Sequence, residues 1–350
     1  SVVTQYTDPL TSFTATVFKD TSGDLTLAIR GTLEGGDFLT DGYIALNGAG
    51  YDQIVSMYNW WQRVSNSAGQ SVSQYQIKTH ITVLGVPLTT PPAGAIPLSS
   101  SNPQIGVIVT TYLEPAASAL ATGALVAAMG TDADGKLDVT GHSLGGHLAM
   151  AFASLFPAAS SQITVFNAPG FTSTPNNSQF FAKLGGSIPN GTNTTNVIAD
   201  EANVGTAPWS AVASLHNRPG EAINIAIENQ VPSGEPDKPG ALNHSQMILT
   251  DALAVYNLLA KLDPGLSSTT FKGLLGAADN TVYQSLERIV DAMERLLLAD
   301  KTLLPTGNTQ RDALYNAIYA LQGNLLYQQS TGLVTIRDLS LFTASQIALV

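Results

Sequence analysis

Residues 137–157 read LDVTGHSLGGHLAMAFASLFP. The short apolar run at Leu137 and Val139 predicts a strand, and the alanine-rich run after Gly146 predicts a helix that Pro157 ends. Between them, Ser143 has a glycine two residues away on either side. Glycine lets strand and helix pack closely around a strained serine, so the stretch predicts a strand, a sharp turn with a serine at its apex, and a helix.

This arrangement is a nucleophile elbow, which lifts a serine hydroxyl above the edge of a parallel sheet. The helix that follows directs its N–H groups at a developing anion. A five-residue Gly-x-Ser-x-Gly pattern also occurs as an ordinary turn in a chain with 31 glycines. The strand before it and the helix after it favour the nucleophile interpretation of Ser143.

The composition restricts the class of protein. The chain has 350 residues, 44% of them hydrophobic and only 12% charged, which suits a large buried core in one large or two modest domains. Its net charge of −11 disfavours nucleic acid and anionic membranes as partners, but not a neutral lipid droplet or a small ester. The absence of cysteine excludes disulfides, cysteine nucleophiles and thiolate metal sites.

The sequence also bears on the compartment of the protein and on its association with membranes. No run has the length of a transmembrane segment, and Ser1-Val2-Val3-Thr4 is not a signal peptide. The polar Asn/Thr/Ser/Gly-rich loops and the scarcity of lysine suggest a secreted, extracellular protein.

The upstream sequence predicts the other half of the site. Alternation over residues 13–19 and 25–29, with turn residues at 20–24, predicts a β-hairpin. Its second strand leads into Arg30-Gly31-Thr32, the place where a hydrolase carries its other oxyanion donor.

Together, LTLAIRGT at residues 25–32 and VTGHSLGG at 139–146 resemble the class 3 lipases and the catalytic domain of bacterial secreted lipases that carry calcium-binding RTX repeats. The resemblance implies an α/β-hydrolase fold and an oxyanion hole formed by the N–H groups of Thr32 and Leu144. It also implies structural calcium as an optional ion, although serine chemistry requires no cofactor. No RTX repeat occurs in the chain.

The remaining pattern predicts a mostly parallel central sheet with helices on both faces. We expect helices at 52–64, 116–129 and 246–262, and strands at 75–83, 107–112, 163–166, 195–200 and 222–228. Residues 1–262 form the predicted catalytic domain and residues 263–350 a helical C-terminal extension, with helices at 282–298 and 311–321 and an extended segment at 332–341. Thr131 to Asp138 resembles half of a calcium loop, but a turn explains it better.

Two segments are lid candidates. Residues 35–50 are glycine-rich and apolar, as expected of a loop that closes over a site or of a plain surface loop. The Pro-rich apolar run within residues 85–104 is either an interfacial flap or, more in keeping with its composition, a packed excursion.

A serine nucleophile needs a base and an orienting carboxylate, in the chain order nucleophile, acid, histidine. His244 opens a helix after the last predicted strand and is favoured as the base over His216, which lies in an expected exposed turn. Asp200 ends a strand at the carboxyl edge of the sheet and is favoured as the acid.

The other acids are less suitable. Glu201 points to the opposite side of the strand, Asp237 is too close to His244, and Asp251 lies about two turns into the helix. The sequence thus predicts a lipase with Ser143, Asp200 and His244 as its triad, acting on lipid esters at a lipid–water interface. A phospholipase A1, an acyltransferase, a thioesterase, a peptidase and a non-catalytic binding protein are the alternatives.

Overall fold

A computed structural model describes residues 1–31, 48–201, 216–228, 244–279, 283–300, 302–307, 309 and 311–336, with the backbone alone at 200 and 201. The strands are β1 (Val2–Thr7), β2 (Thr14–Lys19), β3 (Leu25–Ile29), β4 (Ser71–Val83), β5 (Val86–Pro87), β6 (Ile96–Gln104), β7 (Val107–Leu120), β8 (Leu137–His142), β9 (Ser160–Phe166), β10 (Thr194–Glu201) and β11 (Glu221–Ile227). The helices are α1 (Tyr51–Ser65), α2 (Val126–Met129), α3 (Leu144–Leu155), α4 (Pro175–Lys183), α5 (Gln246–Leu262), α6 (Ser268–Ala277), α7 (Ser285–Leu297), α8 (Arg311–Gly323) and α9 (Leu325–Ser330).

Seven strands form the central sheet in the order β1-β2-β3-β8-β9-β10-β11. The predicted hairpin is present as the antiparallel pair β2 and β3, and β1 adds an antiparallel edge strand. Strand β3 pairs in parallel with β8, β8 with β9, and β9 with β10. Because consecutive parallel strands need a crossover connection, helices lie between them along the chain. The predicted mostly parallel α/β sheet is confirmed.

Contacts divide the described residues into two units. The first unit holds the residues up to Val197 together with residues 216–222, and the second holds residues 198–201 and those from Ile223 onward. Each unit has its own buried apolar side chains.

In the first unit, α1 and α3 cover the sheet and share one apolar core with it. Aromatic rings connect the two helices: Trp61 lies edge-on to Phe152 with ring centroids 4.9 Å apart, and Tyr58 stacks on Phe156 at 5.7 Å. The Tyr58 ring also contacts Tyr75 of β4 at 5.6 Å. Such pairs add specific geometry to a large buried area, so they fix the position of β4 against the helix that follows Ser143.

A second, antiparallel sheet of four strands, in the order β5-β4-β7-β6, was not predicted. The prediction of a helix over residues 116–129 is wrong, because β7 continues to Leu120 and only α2 is helical there. Strands β4 and β7 pair along their whole length, from Ser71 opposite Leu120 to Val83 opposite Val107, with one bulge. Long-range pairing with β4 therefore overrides the helical propensity of an alanine-rich segment.

The flap candidate within residues 85–104 belongs to this second sheet, since it contributes β5 and β6. Asn176 of α4 donates a hydrogen bond to the Leu98 carbonyl at 2.8 Å, which attaches β6 to a helix of the same unit. The segment is thus part of a paired sheet, in which Leu98 is buried and most of the other side chains from residue 85 to residue 104 are exposed. The lid candidate at 35–50 lies outside the described residues except for 48–50.

In the second unit, the described residues after Asp263 form helices α6–α9 and no strand. An extended segment was predicted at residues 332–341. Its described part, up to residue 336, begins with a turn and contains no strand. The half-buried Arg311 pairs with the buried Asp251 at 2.8 Å and with the buried Glu287, and so connects α5, α7 and α8. The buried Glu228 carboxylate accepts hydrogen bonds from the Ser285 hydroxyl at 2.7 Å and from the Leu286 N–H at 2.9 Å. Loss of Arg311 would leave two buried carboxylates without this partner, which is strongly destabilising.

The second sheet contains a buried carboxylate with one histidine partner. Glu114 of β7 is 2% exposed and contacts Nε2 of His80, whose Nδ1 lies 2.7 Å from the Thr89 hydroxyl. We expect His80→Ala to lower the free energy of unfolding by about 3 kcal/mol, because it leaves a buried carboxylate without that partner. Urea unfolding followed by the fluorescence of Trp60 and Trp61 measures the change.

Thr89→Ala is the matched control, since it removes only the exposed partner of the same imidazole and costs less than about 1 kcal/mol. The double variant His80→Ala with Glu114→Gln recovers part of the loss. Equal destabilisation by His80→Ala and Thr89→Ala contradicts this account.

Candidate functional site

Ser143 occupies a strained turn between β8 and α3. Its backbone has φ 57° and ψ −127°, a conformation that non-glycine residues rarely adopt. The Ser143 N–H donates to the Phe166 carbonyl at 2.8 Å, and its own carbonyl accepts from the N–H groups of Gly146 at 2.9 Å and His147 at 3.1 Å. These bonds hold a conformation that costs about 1–3 kcal/mol. The predicted strand, sharp turn and helix are therefore present around this serine.

Backbone segments approach the turn so closely that only glycine fits. A Cβ at position 141 would lie 2.3 Å from the Gly145 carbonyl group, and one at position 145 would lie 2.2 Å from the Ile29 carbonyl oxygen. Gly31 is equally confined, since its Cβ would lie 2.6 Å from the His142 carbonyl oxygen. The turn thus packs directly against the end of β3, where the predicted oxyanion loop begins.

The start of α3 provides the electrostatics of the site. Leu144 is the first helical residue after Ser143 and its side chain is buried. The first N–H groups of a helix have no partner in the preceding turn, and the helix dipole places partial positive charge at this end. Ser143 and Leu144 are therefore adjacent at the positive end of a helix, and the oxyanion role of the Leu144 N–H stays a prediction.

His147, for which the sequence predicted no role, holds this turn in place. The imidazole is fully buried and lies parallel to the Phe171 ring at 3.9 Å. Its Nε2 accepts from the Gly50 N–H at 3.3 Å, and its Nδ1 donates to the Pro169 carbonyl at 3.3 Å. Burial lowers the pKa of His147 to about 3, so the ring is neutral. One feature of the sequence could have indicated this role: His147 lies one helical turn after Ser143, in a helix that is expected to be buried. A buried polar side chain needs hydrogen-bond partners.

The structure describes the other predicted site residues only in part. Thr32 is outside the described residues, and so is the side chain of Asp200, whose backbone lies near the end of β10 in the second unit. His244 also belongs to the second unit, is half-buried and comes two residues before α5, as the sequence predicted. The joining of Ser143, Asp200 and His244 stays a prediction.

The structure describes two of the residues that the sequence disfavoured as the catalytic base or acid. His216 belongs to the same unit as Ser143, is half-buried rather than exposed, and its Nδ1 lies 2.9 Å from the Thr172 hydroxyl. Asp251 is buried and accepts from the Tyr315 hydroxyl at 2.9 Å beside Arg311, as expected of a structural residue. Asp237 lies outside the described residues, as does the side chain of Glu201.

The calcium expectation was tested against the residues of the half-loop. One Asp132 carboxylate oxygen accepts from the N–H groups of Asp134 at 3.1 Å and Gly135 at 3.0 Å, and the other accepts from Leu25 at 3.0 Å. These bonds close a turn and direct donors, not further oxygen ligands, at the carboxylate. Within the described parts of the chain, no group of three or more His, Asp or Glu side chains is arranged to hold a metal ion. Residues 131–138 do not fit calcium.

No protein-family model matches this chain, and no curated protein matches it. The resemblance to the class 3 lipases therefore depends on the two motifs alone. None of the helices in the described ranges has the length and apolar composition needed to cross a membrane.

The packing at Gly145 gives a stability prediction. Gly145→Ala should lower the free energy of unfolding by about 3 kcal/mol or prevent folding, because the new Cβ overlaps the backbone of Ile29 and Arg30. Gly276→Ala in α6 is the matched control: nothing lies within 4 Å of its Cβ, so the change should be neutral or stabilising. Denaturant unfolding of both variants checks this, and comparable losses at the two glycines would refute it.

The buried His147 gives a pH prediction. The unfolded chain binds its proton near pH 6.5 and the folded chain only near pH 3, so between these values the unfolded state holds more protons. The contribution of His147 to the free energy of unfolding therefore falls as the pH drops below about 6.5, and at pH 5 it is lower by about 2 kcal/mol.

The measurement compares the free energy of unfolding at pH 7 and pH 5. His147→Gln should be less stable at pH 7, but its loss between the two pH values should be smaller than that of the wild type by about 2 kcal/mol. An identical loss in both chains means that His147 does not titrate in this way.

Proposed function

We propose that the chain is a serine ester hydrolase that cleaves lipid esters, as a triacylglycerol lipase does, with Ser143 as the nucleophile. The observation that carries the proposal is the strained backbone of Ser143 at φ 57°, between a central strand and the N-terminus of a buried helix. A protein retains such strain only where surrounding contacts enforce it, and strain of this kind concentrates at functional sites.

The proposed reaction uses the two residues on which the sequence analysis settled. His244, oriented by Asp200, takes the proton of the Ser143 hydroxyl as the oxygen attacks the ester carbonyl carbon. The N–H groups of Leu144 and Thr32 stabilise the oxyanion, each by about 3 kcal/mol. His244 then gives the proton to the leaving alkoxide, and water, deprotonated by the same imidazole, hydrolyses the acyl-enzyme.

Charge supports an ester of low polarity as the substrate. The chain has a net charge of −11 with only 12% charged residues, so it repels anionic substrates and presents much uncharged surface. The same site would serve a phospholipase A1, an acyltransferase, a thioesterase or a peptidase, because one fold supports several acyl-transfer reactions.

The test is covalent labelling by a fluorophosphonate together with hydrolysis of p-nitrophenyl esters. Wild type should be labelled and should cleave long-chain esters in preference to amides and thioesters. Ser143→Ala should lose the label and about 10⁴-fold or more of the activity. Labelling absent from both chains would favour a non-catalytic binding protein.

The base is tested by two histidine variants. His244→Gln should lower kcat by about 10⁴-fold, while His216→Gln, the matched control, retains most activity. The reverse order would assign the base to His216, which belongs to the same unit as Ser143.

A further inference from the structure

The end of the second sheet exposes a cluster of aliphatic side chains. Two turns meet there, Leu84-Gly85 between β4 and β5 and Ile105-Gly106 between β6 and β7. We call this cluster the apolar tip and define it by Leu84, Val86, Leu88, Ile105 and Ile108, which are 80%, 64%, 64%, 103% and 42% exposed. A soluble chain rarely groups this much aliphatic surface without a binding role.

The two turns form one surface. The Leu84 N–H donates to the Gly106 carbonyl at 2.6 Å, and a Cβ on Gly106 would lie 2.6 Å from the Leu84 side chain. The register continues directly behind them, with Val83 opposite both Val86 and Val107. The aliphatic groups of the two turns are therefore presented together.

The tip is also without charge. No Asp, Glu, Lys or Arg occurs between Lys78 and Glu114, although the whole chain has 41 such residues, 15 basic and 26 acidic. An acidic protein is repelled by anionic surfaces, and this uncharged end can approach a neutral one at no electrostatic cost.

The backbone of the tip suits an apolar medium. Its strands pair on both sides of β4 and β7, and the Leu88 N–H donates to the Ile81 carbonyl at 2.9 Å. Unpaired backbone groups are costly in a lipid phase, and ladder pairing satisfies those of β4 and β7, whereas β5 and β6 are the edge strands of the sheet. The exposed Lys78 of β4 pairs with Tyr112 of β7. Along β4 it lies four residues, or about 13 Å, further from the tip than Thr82. An amphipathic amine and a phenol at that distance suit the polar boundary of a lipid layer.

We propose that the apolar tip inserts into the surface of a neutral lipid phase and holds the chain at the interface. This inference extends the proposed function by supplying the contact with the lipid that carries the ester. Leu, Ile and Val are the side chains that partition most favourably into hydrocarbon. A protein partner is less suited, since hot spots in protein interfaces are rich in Trp, Tyr and Arg, which the tip lacks.

The experiment uses the full chain with Ser143→Ala, so that binding is measured without hydrolysis. The chain has no cysteine, so Ile105→Cys or, as the control, Leu120→Cys accepts one environment-sensitive fluorophore. Leu120 is 68% exposed at the opposite end of β7. With phosphatidylcholine vesicles or a triolein emulsion, we expect a blue shift at position 105 and none at position 120.

Substitution tests the same surface without a label. The double variant Leu84→Ser with Ile105→Ser should weaken binding to phosphatidylcholine vesicles at least tenfold, since each exposed aliphatic side chain contributes roughly a factor of ten when buried. Leu120→Ser should change binding less than twofold. Urea midpoints near the wild-type value establish that the variants are folded.

Several results would overturn the inference. These are equal shifts at positions 105 and 120, no vesicle binding, or equal effects of the tip and control substitutions. A concentration-dependent mass that only the tip variant abolishes would assign the surface to a second copy of the chain. Fluorophosphonate labelling of chains that retain Ser143 reports on the proposed function separately, so either proposal can fail while the other stands.

Discussion

The close approach of three backbone segments around Ser143 is the constraint on which the first unit depends. The end of β3 touches the turn at Gly145, and the turn folds against itself at Gly141. Neither contact leaves space for a Cβ atom, so β3, β8 and α3 have one way of fitting together. The consequence is chemical as well as structural, because the same fit places the serine at the helix N-terminus.

Contacts made by His147 help to hold the strained backbone of Ser143 in place. His147 reaches from α3 to Gly50 at the start of α1 and to Pro169 after β9. Its ring also stacks on Phe171. Because the imidazole is buried and neutral, these contacts add no buried charge near a site where negative charge would develop. The rigidity of the turn thus depends in part on a residue outside the proposed triad.

Charge is distributed unevenly along the chain. In the second unit, buried carboxylates are organised around Arg311, which pairs with Asp251 and Glu287. The outer end of the second sheet has no charged residue and ends in exposed aliphatic groups. This uneven distribution of charge is compatible with the proposed insertion of the apolar tip into a neutral lipid phase.

The sequence by itself determined the local features of the candidate site. The spacing of Gly141, Ser143 and Gly145 predicted the turn, because the motif and the strand and helix on either side of it lie within one short segment. The β2–β3 hairpin, the parallel strands and the helix after His244 were predicted for the same reason: their signals are periodicity and turn residues within short segments.

The tertiary structure decided what depends on distant partners. Residues 116–120 favour a helix locally, yet they pair with β4 some forty residues earlier and become strand. The role of His147 likewise depends on Gly50 and Pro169, which no local pattern identifies. Propensity is a small free-energy difference per residue, and a long hydrogen-bonded ladder or a buried polar contact outweighs it.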